Sequence, residues 1–447
     1  MNDEQELIAL SPLDGRYASQ TADLRLYFSE FAFIKYRVRV EVKYLLFLAK
    51  WKVVRTLTKE EIHKLLSLTD TFSVADAKEV KKIEHETKHD VKSIEYFLKE
   101  KLAGSTCEDL LPFVHFGLTS EDVNNLAYGC MLLGAHKKIM LPAIKKILEE
   151  IKTIAAANKM SYTLARTHGQ PAVPTTFGKE LAVYVARLKK LEQRLTTFQF
   201  EGKLNGAVGN YNALAFALPN INWIRFSREF IASFDLHPNL ITIQILPADN
   251  FIEYSFLLSQ ANAIFIGLCQ DMWTYISRGL VKQKKVSGQV GSSTMPQKIN
   301  PIDFENAEGN LQIANNYFEL FARKLPVSRL QRDLSDSTVK RTIGMALGHT
   351  LLAWKSLEKG LSKISFDTEV AFEELNGHYE ILAEAMQIYF KMHGDEKGYE
   401  KVKHMLMGKR IDKKMYEELT REFPALAKLT PATYIGLVTK LTTLALK

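Results

Sequence analysis

Between Gly288 and Asn310 the chain gathers two adjacent hydroxyls (Ser292, Ser293), a cation (Lys298), an amide (Asn300) and two carboxylates (Glu305, Glu308). Gly288 and Gly291 let the backbone bend and expose its N–H groups, and Pro296 and Pro301 interrupt any regular element between them. Asp303 is suited to cap a helix through Asn310, Ile313 and Tyr317 that Pro326 stops. Such a set can hold an anion and move a proton, although a loop rich in Gly, Ser and Pro is also a common connector. A second proton-transfer candidate is His168. Gly169, Pro171 and Pro174 hold it out of regular helix, on a stiff connector between two long helices. Thr119 and Ser120, followed by Glu121 and Asp122, begin a helix whose free N–H groups suit either a cap or a carboxylate ligand. His89 precedes Asp90, a carboxylate able to orient the ring. The loop from Ser328 to Ser337, leading to Arg341, sets arginines beside hydroxyls, a combination suited to phosphate or equally to a salt-bridged surface. Arg16 and Tyr17 emerge from a turn at Ser11–Gly15.

The order Gly-Ser-Ser-x-Met-Pro-x-Lys-x-Asn-Pro, from Gly291 to Pro301, resembles the signature of the fumarase/aspartase superfamily, whose members eliminate fumarate from succinyl compounds. Within it the chain is most similar, over almost its whole length, to adenylosuccinate lyases of the bacterial type. That resemblance implies His168 as general acid, paired with Glu305, and Ser292 as base; the residues alone leave Ser292 and Ser293 undecided. Lys298, Asn300 and the loop N–H groups would hold the carbanion's charge, with Ser293 and Met295 beside the substrate. His89, between Lys88 and Asp90, corresponds to a histidine that contacts the substrate phosphate and supports catalysis. Thr119 and Ser120 would take the succinyl carboxylates. Arg16, Tyr17, Arg332, Ser337 and Arg341 would take the nucleotide, and Gln244 would lie near the substrate. Two positions depart from the pattern: Gln297, where many relatives carry His, and Lys88, where many carry Asn. The implied reaction is anti β-elimination of fumarate from adenylosuccinate, giving AMP, and from the succinyl-aminoimidazole-carboxamide ribotide. No metal and no cofactor are implied. The alternatives are a sibling lyase for argininosuccinate, aspartate or malate, and a non-catalytic homologue.

Helices must position these groups. Phe177, Leu181, Tyr184, Leu188, Leu191, Leu195 and Phe198 recur at spacings of four and three, as do Tyr254, Leu258, Ala261, Phe265, Leu268, Met272 and Tyr275. The region from Leu26 to Trp51, and that from Ala75 to Lys101, also read as helix, and a further long helix bends at Pro142 and ends near Asn158. The expectation is an all-α chain with an N-terminal helical domain (1–118), a central long-helix bundle (119–358) and a C-terminal helical domain (359–447). Apolar faces wider than one stripe predict self-association, in line with the homotetramer and shared active sites that the resemblance implies. The glycine-rich segment from Lys203 to Ala213 lacks dinucleotide-fingerprint spacing, so no nucleotide cofactor is read from it.

Composition narrows the classes. With 447 residues, 46% of them hydrophobic, the chain can bury a large core. Ser259, Gln260, Gln270 and Asp271 break the apolar run from Phe251 to Ile276, and Met1–Leu10 lacks the order of a signal peptide, so a cytoplasmic protein with no membrane partner is expected. Cys107, Cys130 and Cys269 are too far apart to read as a disulfide framework or metal site. The net charge of +8 comes from scattered basic pairs, which argues against a nucleic-acid partner and remains compatible with a small anionic nucleotide.

Overall fold

The computed structural model describes residues 3–284, 295 and 297–447, so Ser292 and Ser293 lie outside the described residues. It is 66% helix and 5% strand, in agreement with an all-α architecture. The chain forms two compact units. The first is built from Met1–Ala143, Arg194–Asn262 and Asn310–Leu352, and the second from Ile144–Gln193, Ala263–Gly309 and Ala353–Lys447.

In the first unit, the helix Glu30–Lys50 packs on the helix Ser120–Ala135. Its aromatic residues Tyr44 and Phe47 meet Phe226 and Phe230 edge to face, with ring centroids 5.2–5.9 Å apart. The N-terminal turn closes as its residues dictate: Asp14 and Gly15 both donate backbone N–H to the Ser11 carbonyl. Leu13 then plugs the turn against Gly348, where an added Cβ would lie 2.8 Å from the Leu13 side chain.

The expected seams are buried at Leu181, Leu188, Leu191 and Leu195, and at Leu258, Ala261, Phe265, Leu268 and Met272. The helix Asp249–Ser277 is long and apolar enough to cross a membrane by length and composition. Its burial of Tyr254, Phe265 and Met272 marks it as a core helix, and the amide of its buried Asn262 donates to Asn315 Oδ1 at 3.1 Å. Around Pro142 the chain runs as Ser120–Ala135, a wide π turn at His136–Met140, and a helix Leu141–Ala157. The change of helix type thus falls just before Pro142, which lies in the first turn of the following helix, where proline is tolerated.

Three local expectations change. The helix after the signature starts at Ile302, so Asp303 lies in its first turn rather than capping it, and its carboxylate instead binds Lys359 at 3.2 Å and Lys363 at 2.6 Å. The Ala75–Lys101 stretch is two helices, Val74–Thr87 and Asp90–Leu102, broken at Lys88 and His89. The connector carrying His168 is an antiparallel hairpin, with Tyr162–Thr167 paired to Gln170–Thr176. Prolines survive in its second strand because a two-stranded ribbon leaves one edge of each strand without ladder bonds.

Candidate active site

In the first unit, Lys88, His89, Asp90, Ser120, Arg332, Ser337 and Arg341 line one cavity of about 440 Å³. They come from three chain segments. Lys88 ends one helix in the left-handed conformation (φ 54°), which turns the chain so that His89 can cap the next helix. The backbone N–H of Lys92 donates to His89 Nδ1 at 3.1 Å, so the ring proton sits on Nε2, leaving that N–H as a donor. Asp90 does not orient this ring as expected. Its Oδ2 accepts from Arg37 at 2.5 Å and faces Arg341 at 3.4 Å. Burial pushes the Asp90 carboxyl up, but Arg37, the Val91 N–H and Arg341 outweigh it and hold it below its ordinary range.

Left-handed backbone costs an ordinary L residue about 1–2 kcal/mol, and Asn tolerates it better. Lys88→Asn is therefore expected to raise stability by about 0.5–1 kcal/mol while removing one cavity cation, so that the affinity for an anionic substrate falls. Urea midpoints and KM, measured together, check both signs. An unchanged or lowered midpoint would show that the backbone is not strained there.

Ser120 opens its helix behind Thr119, whose N–H donates to Asp122 at 3.0 Å. The loop leading to them is pinned to the helix Glu30–Lys50. The Tyr44 hydroxyl donates to the Phe116 carbonyl at 2.9 Å, and the His115 ring meets Glu41 at 2.5 Å. Asp122 also accepts from the backbone N–H groups of Asn205 and Gly206, each at 3.1 Å, and pairs with Lys203 at 3.0 Å, so the glycine-rich segment serves as a structural clamp. Arg332 donates to Ser337 Oγ at 3.0 Å and lies 3.3 Å from Glu121. Arg341 pairs with Glu30 at 3.2 Å.

Among the lining residues, five cations (Arg37, Lys88, Arg332, Lys340, Arg341) face three carboxylates (Glu84, Asp90, Glu121), an excess of two positive charges. Asp336 and Glu30, outside the lining, pair with Lys340 and Arg341, so what suits a phosphate is the convergence of arginines and a hydroxyl on the cavity rather than a net charge. Arg16, Tyr17 and Gln244 are absent from this lining: Arg16 lies 5.9 Å from the Tyr17 ring centroid, and Gln244 donates to the Ala207 carbonyl at 3.0 Å.

In the second unit, His168 and Gly169 form a two-residue hairpin tip with positive φ at both positions (54° and 75°). Arg166 stiffens the tip by donating to the Gly169 carbonyl at 3.0 Å and to Glu374 at 2.6 Å, and Glu374 also accepts from Arg278. Leu164, 2% exposed, roots the hairpin in a cluster with Leu375, Leu382, Met386 and Phe390. The His168 ring is exposed, and no hydrogen bond to it is made among the described residues. Glu305 accepts from the Trp273 indole N–H at 3.1 Å, so the expected pair with His168 is not formed within one chain. Lys298 and Met295 are exposed, and the Lys298 N–H donates to the Met295 carbonyl at 3.1 Å; Asn300 is half-buried.

Burial raises the Glu374 carboxyl, but the arginines outweigh it and hold it below its ordinary value of 4.5. A lowered carboxyl stabilises the fold above its unfolded pKa, and that stabilisation is lost as pH falls through the folded value. Glu374→Gln is expected to destabilise at pH 7 and to lose that effect as the pH falls through the lowered carboxyl's range, as read from urea unfolding at pH 7 and in acid. Equal effects at both would refute the charge contribution.

Sequence reasoning missed Arg37, Glu121, Asn124 and Lys340. Arg37 was detectable as a charge within the buried stripe Phe33, Val40, Tyr44 and Leu48, a position that demands a partner. Among the described residues no His, Cys, Asp and Glu cluster could hold a metal ion.

Comparison with known proteins places this geometry. Residues 15–314 match a family model described as Lyase. Two solved structures share the fold: a fumarate lyase from a Mesorhizobium species (TM-score 0.77, 16% identity, covering 95% of this chain and 97% of that one) and a 3-carboxy-cis,cis-muconate lactonizing enzyme from Pseudomonas putida (0.79, 17%, 95% and 96%). The class defined by fold and sequence is thus that of the lyases. Residues 328–435 match the model described as Adenylosuccinate lyase C-terminal. Adenylosuccinate lyase of Haemophilus influenzae is 44% identical over 446 residues, covering 97% of this chain and 98% of the relative, and that of Escherichia coli is 43% identical over 441 residues, covering 96% and 97%. The chain belongs to the adenylosuccinate lyase family.

Proposed function

We propose that this chain eliminates fumarate from adenylosuccinate to leave AMP, and from the succinyl-aminoimidazole-carboxamide ribotide to leave the corresponding carboxamide ribotide, in purine nucleotide synthesis. The observation that carries the choice of substrate is the convergence of Arg332, Ser337 and Arg341 on one cavity with Lys88 and His89. Argininosuccinate, aspartate and malate have no phosphate to use it. Arg332, Ser337, Arg341 and the His89 Nε2–H take the phosphate, Thr119 and Ser120 take the succinyl carboxylates, Arg16 and Tyr17 complete the nucleotide end, and Gln244 lies near the substrate.

Ser292 removes a proton from the succinyl carbon next to the one that bears the nitrogen, a carbon itself attached to a carboxylate. The electron pair forms the fumarate double bond as the carbon–nitrogen bond breaks, and His168 delivers a proton to the departing nitrogen. Lys298, Asn300 and loop N–H groups hold the charge that develops, each such donor being worth roughly 3–4 kcal/mol. A serine hydroxyl is a weak acid, so its use as base requires those same cations nearby in a dry site. Because Glu305 is held by Trp273 and His168 is exposed, the Glu305–His168 pair is supplied by association of chains. Exposed apolar side chains on the long helices, Val183, Phe256 and Ile313, support the homotetramer in which sites are shared. The 1–118, 119–358 and 359–447 divisions and a cytoplasmic location belong to the same reading.

The test is fumarate release by the purified chain, offered adenylosuccinate and argininosuccinate in parallel. Fumarate and AMP from adenylosuccinate alone are expected. Release from argininosuccinate instead, or from neither, would overturn the reading.

A further inference from the structure

Lys340 lines the cavity as one of its cations but is given no role of its own in the reading above. It is 17% exposed, its Nζ donates to Asp336 at 2.8 Å, and it stands 3.7 Å from Glu121. Arg332 faces the same two carboxylates from the other side, at 3.3 Å from Glu121 and 4.0 Å from Asp336. Glu121 is 3% exposed and also accepts from the Asn124 amide at 3.1 Å. The four charges balance. Arg332 retains a buried Nε–H that makes no hydrogen bond.

We propose that Lys340 is a positioning residue for the substrate's phosphate: by sharing Glu121 and Asp336 with Arg332, it keeps the Arg332 guanidinium from being drawn onto those acids and so leaves it available to the anion. The proposal rests on the reading of Arg332 as a phosphate ligand. Without Lys340, one guanidinium faces two carboxylates. The local charge becomes negative, Arg332 is drawn onto the acids, and an incoming phosphate meets repulsion. The lysine stem also lines a small apolar cavity with Leu132, Phe251, Leu325 and Ile343, so leucine can replace the stem while deleting the charge.

The experiment compares the unsubstituted chain with Lys340→Leu, Lys340→Arg and the double variant Lys340→Leu/Asp336→Asn. Two readouts are used: KM and kcat for adenylosuccinate, and the Kd of inorganic phosphate by direct titration. Lys340→Leu is expected to raise KM and the phosphate Kd together by about tenfold, the factor of one lost charge-assisted contact, with a smaller fall in kcat. Lys340→Arg should stay within about threefold of the unsubstituted chain. The double variant restores the charge balance and should recover phosphate affinity, even where the single variant folds poorly. A double variant as weak as the single one would make Lys340 a direct ligand or a packing residue and overturn the proposal. So would an unchanged Lys340→Leu, or no saturable phosphate binding to the unsubstituted chain. If adenylosuccinate proved not to be a substrate, the function proposed above would fall, and the phosphate titration would still decide the role of Lys340.

Discussion

His168→Ala is expected to lower kcat for fumarate release by about 10²–10⁴, the usual worth of a positioned general acid, with little change in helix content. The expectation is severe for activity and mild for stability because of where the ring sits. Leu164 fixes the hairpin in the C-terminal core, and Arg166 ties its tip to Glu374, so the frame survives loss of the imidazole. The ring is exposed and makes no hydrogen bond among the described residues, so its removal strands no buried partner. One confounding effect is the backbone: φ at 168 is 54°, a conformation in which alanine is strained. His168→Asn tolerates it and should lose the same activity without the strain. Stopped or steady-state fumarate assays, with circular dichroism on both variants, read the two effects apart. Activity within tenfold of the unsubstituted chain in either variant would remove His168 from the proton-transfer role.

Lys203→Met should have the largest effect on stability, about 3–5 kcal/mol by urea unfolding. Lys203 and Asp122 are both 0% exposed, and deletion of the lysine leaves a carboxylate buried without its counter-ion. Asp122 still accepts three backbone N–H groups, from Thr119, Asn205 and Gly206, which softens the loss without cancelling it. Lys203 Nζ also donates to the Gly206 carbonyl at 3.1 Å, so the same change loosens the clamp beneath Thr119 and Ser120. The double variant Lys203→Met/Asp122→Asn removes both charges and should recover most of the stability. If the single variant cost less than about 1 kcal/mol, or the double cost more than the single, the pair would not be a coupled buried pair.

The long helices were legible because their cores repeat. Leu181, Leu188 and Leu195, like Leu258, Phe265 and Met272, are buried where a helical period puts them. The His168 hairpin was not, because Pro171 and Pro174 read as breakers, and a strand is tolerant of proline only once its ribbon has a free edge, which a local pattern does not reveal. The break at Lys88 was equally silent: neither Gly nor Pro marks it. Residue types alone left the loop carrying Arg332, Ser337 and Arg341 open between phosphate site and salt-bridged surface; the three were picked out by the resemblance, and they line one cavity. Arg37 was not legible, since its partners Asp90 and Asn124 lie 53 and 87 residues further along the chain. Residues that act through distant partners carry no local signature.

The rooting of the hairpin through Leu164 gives the last quarter of the chain a part in the chemistry that none of its own side chains performs. On the proposed reading of His168, the helices carrying Leu375, Leu382, Met386 and Phe390 act as the bedplate on which its proton donor is mounted. Partial melting of that cluster on heating would let the donor wander while the Arg332 cavity, built from other segments, kept its form. Thermal inactivation would then precede loss of nucleotide binding, and the operating ceiling of the enzyme would be set by its C-terminal helices rather than by the bundle.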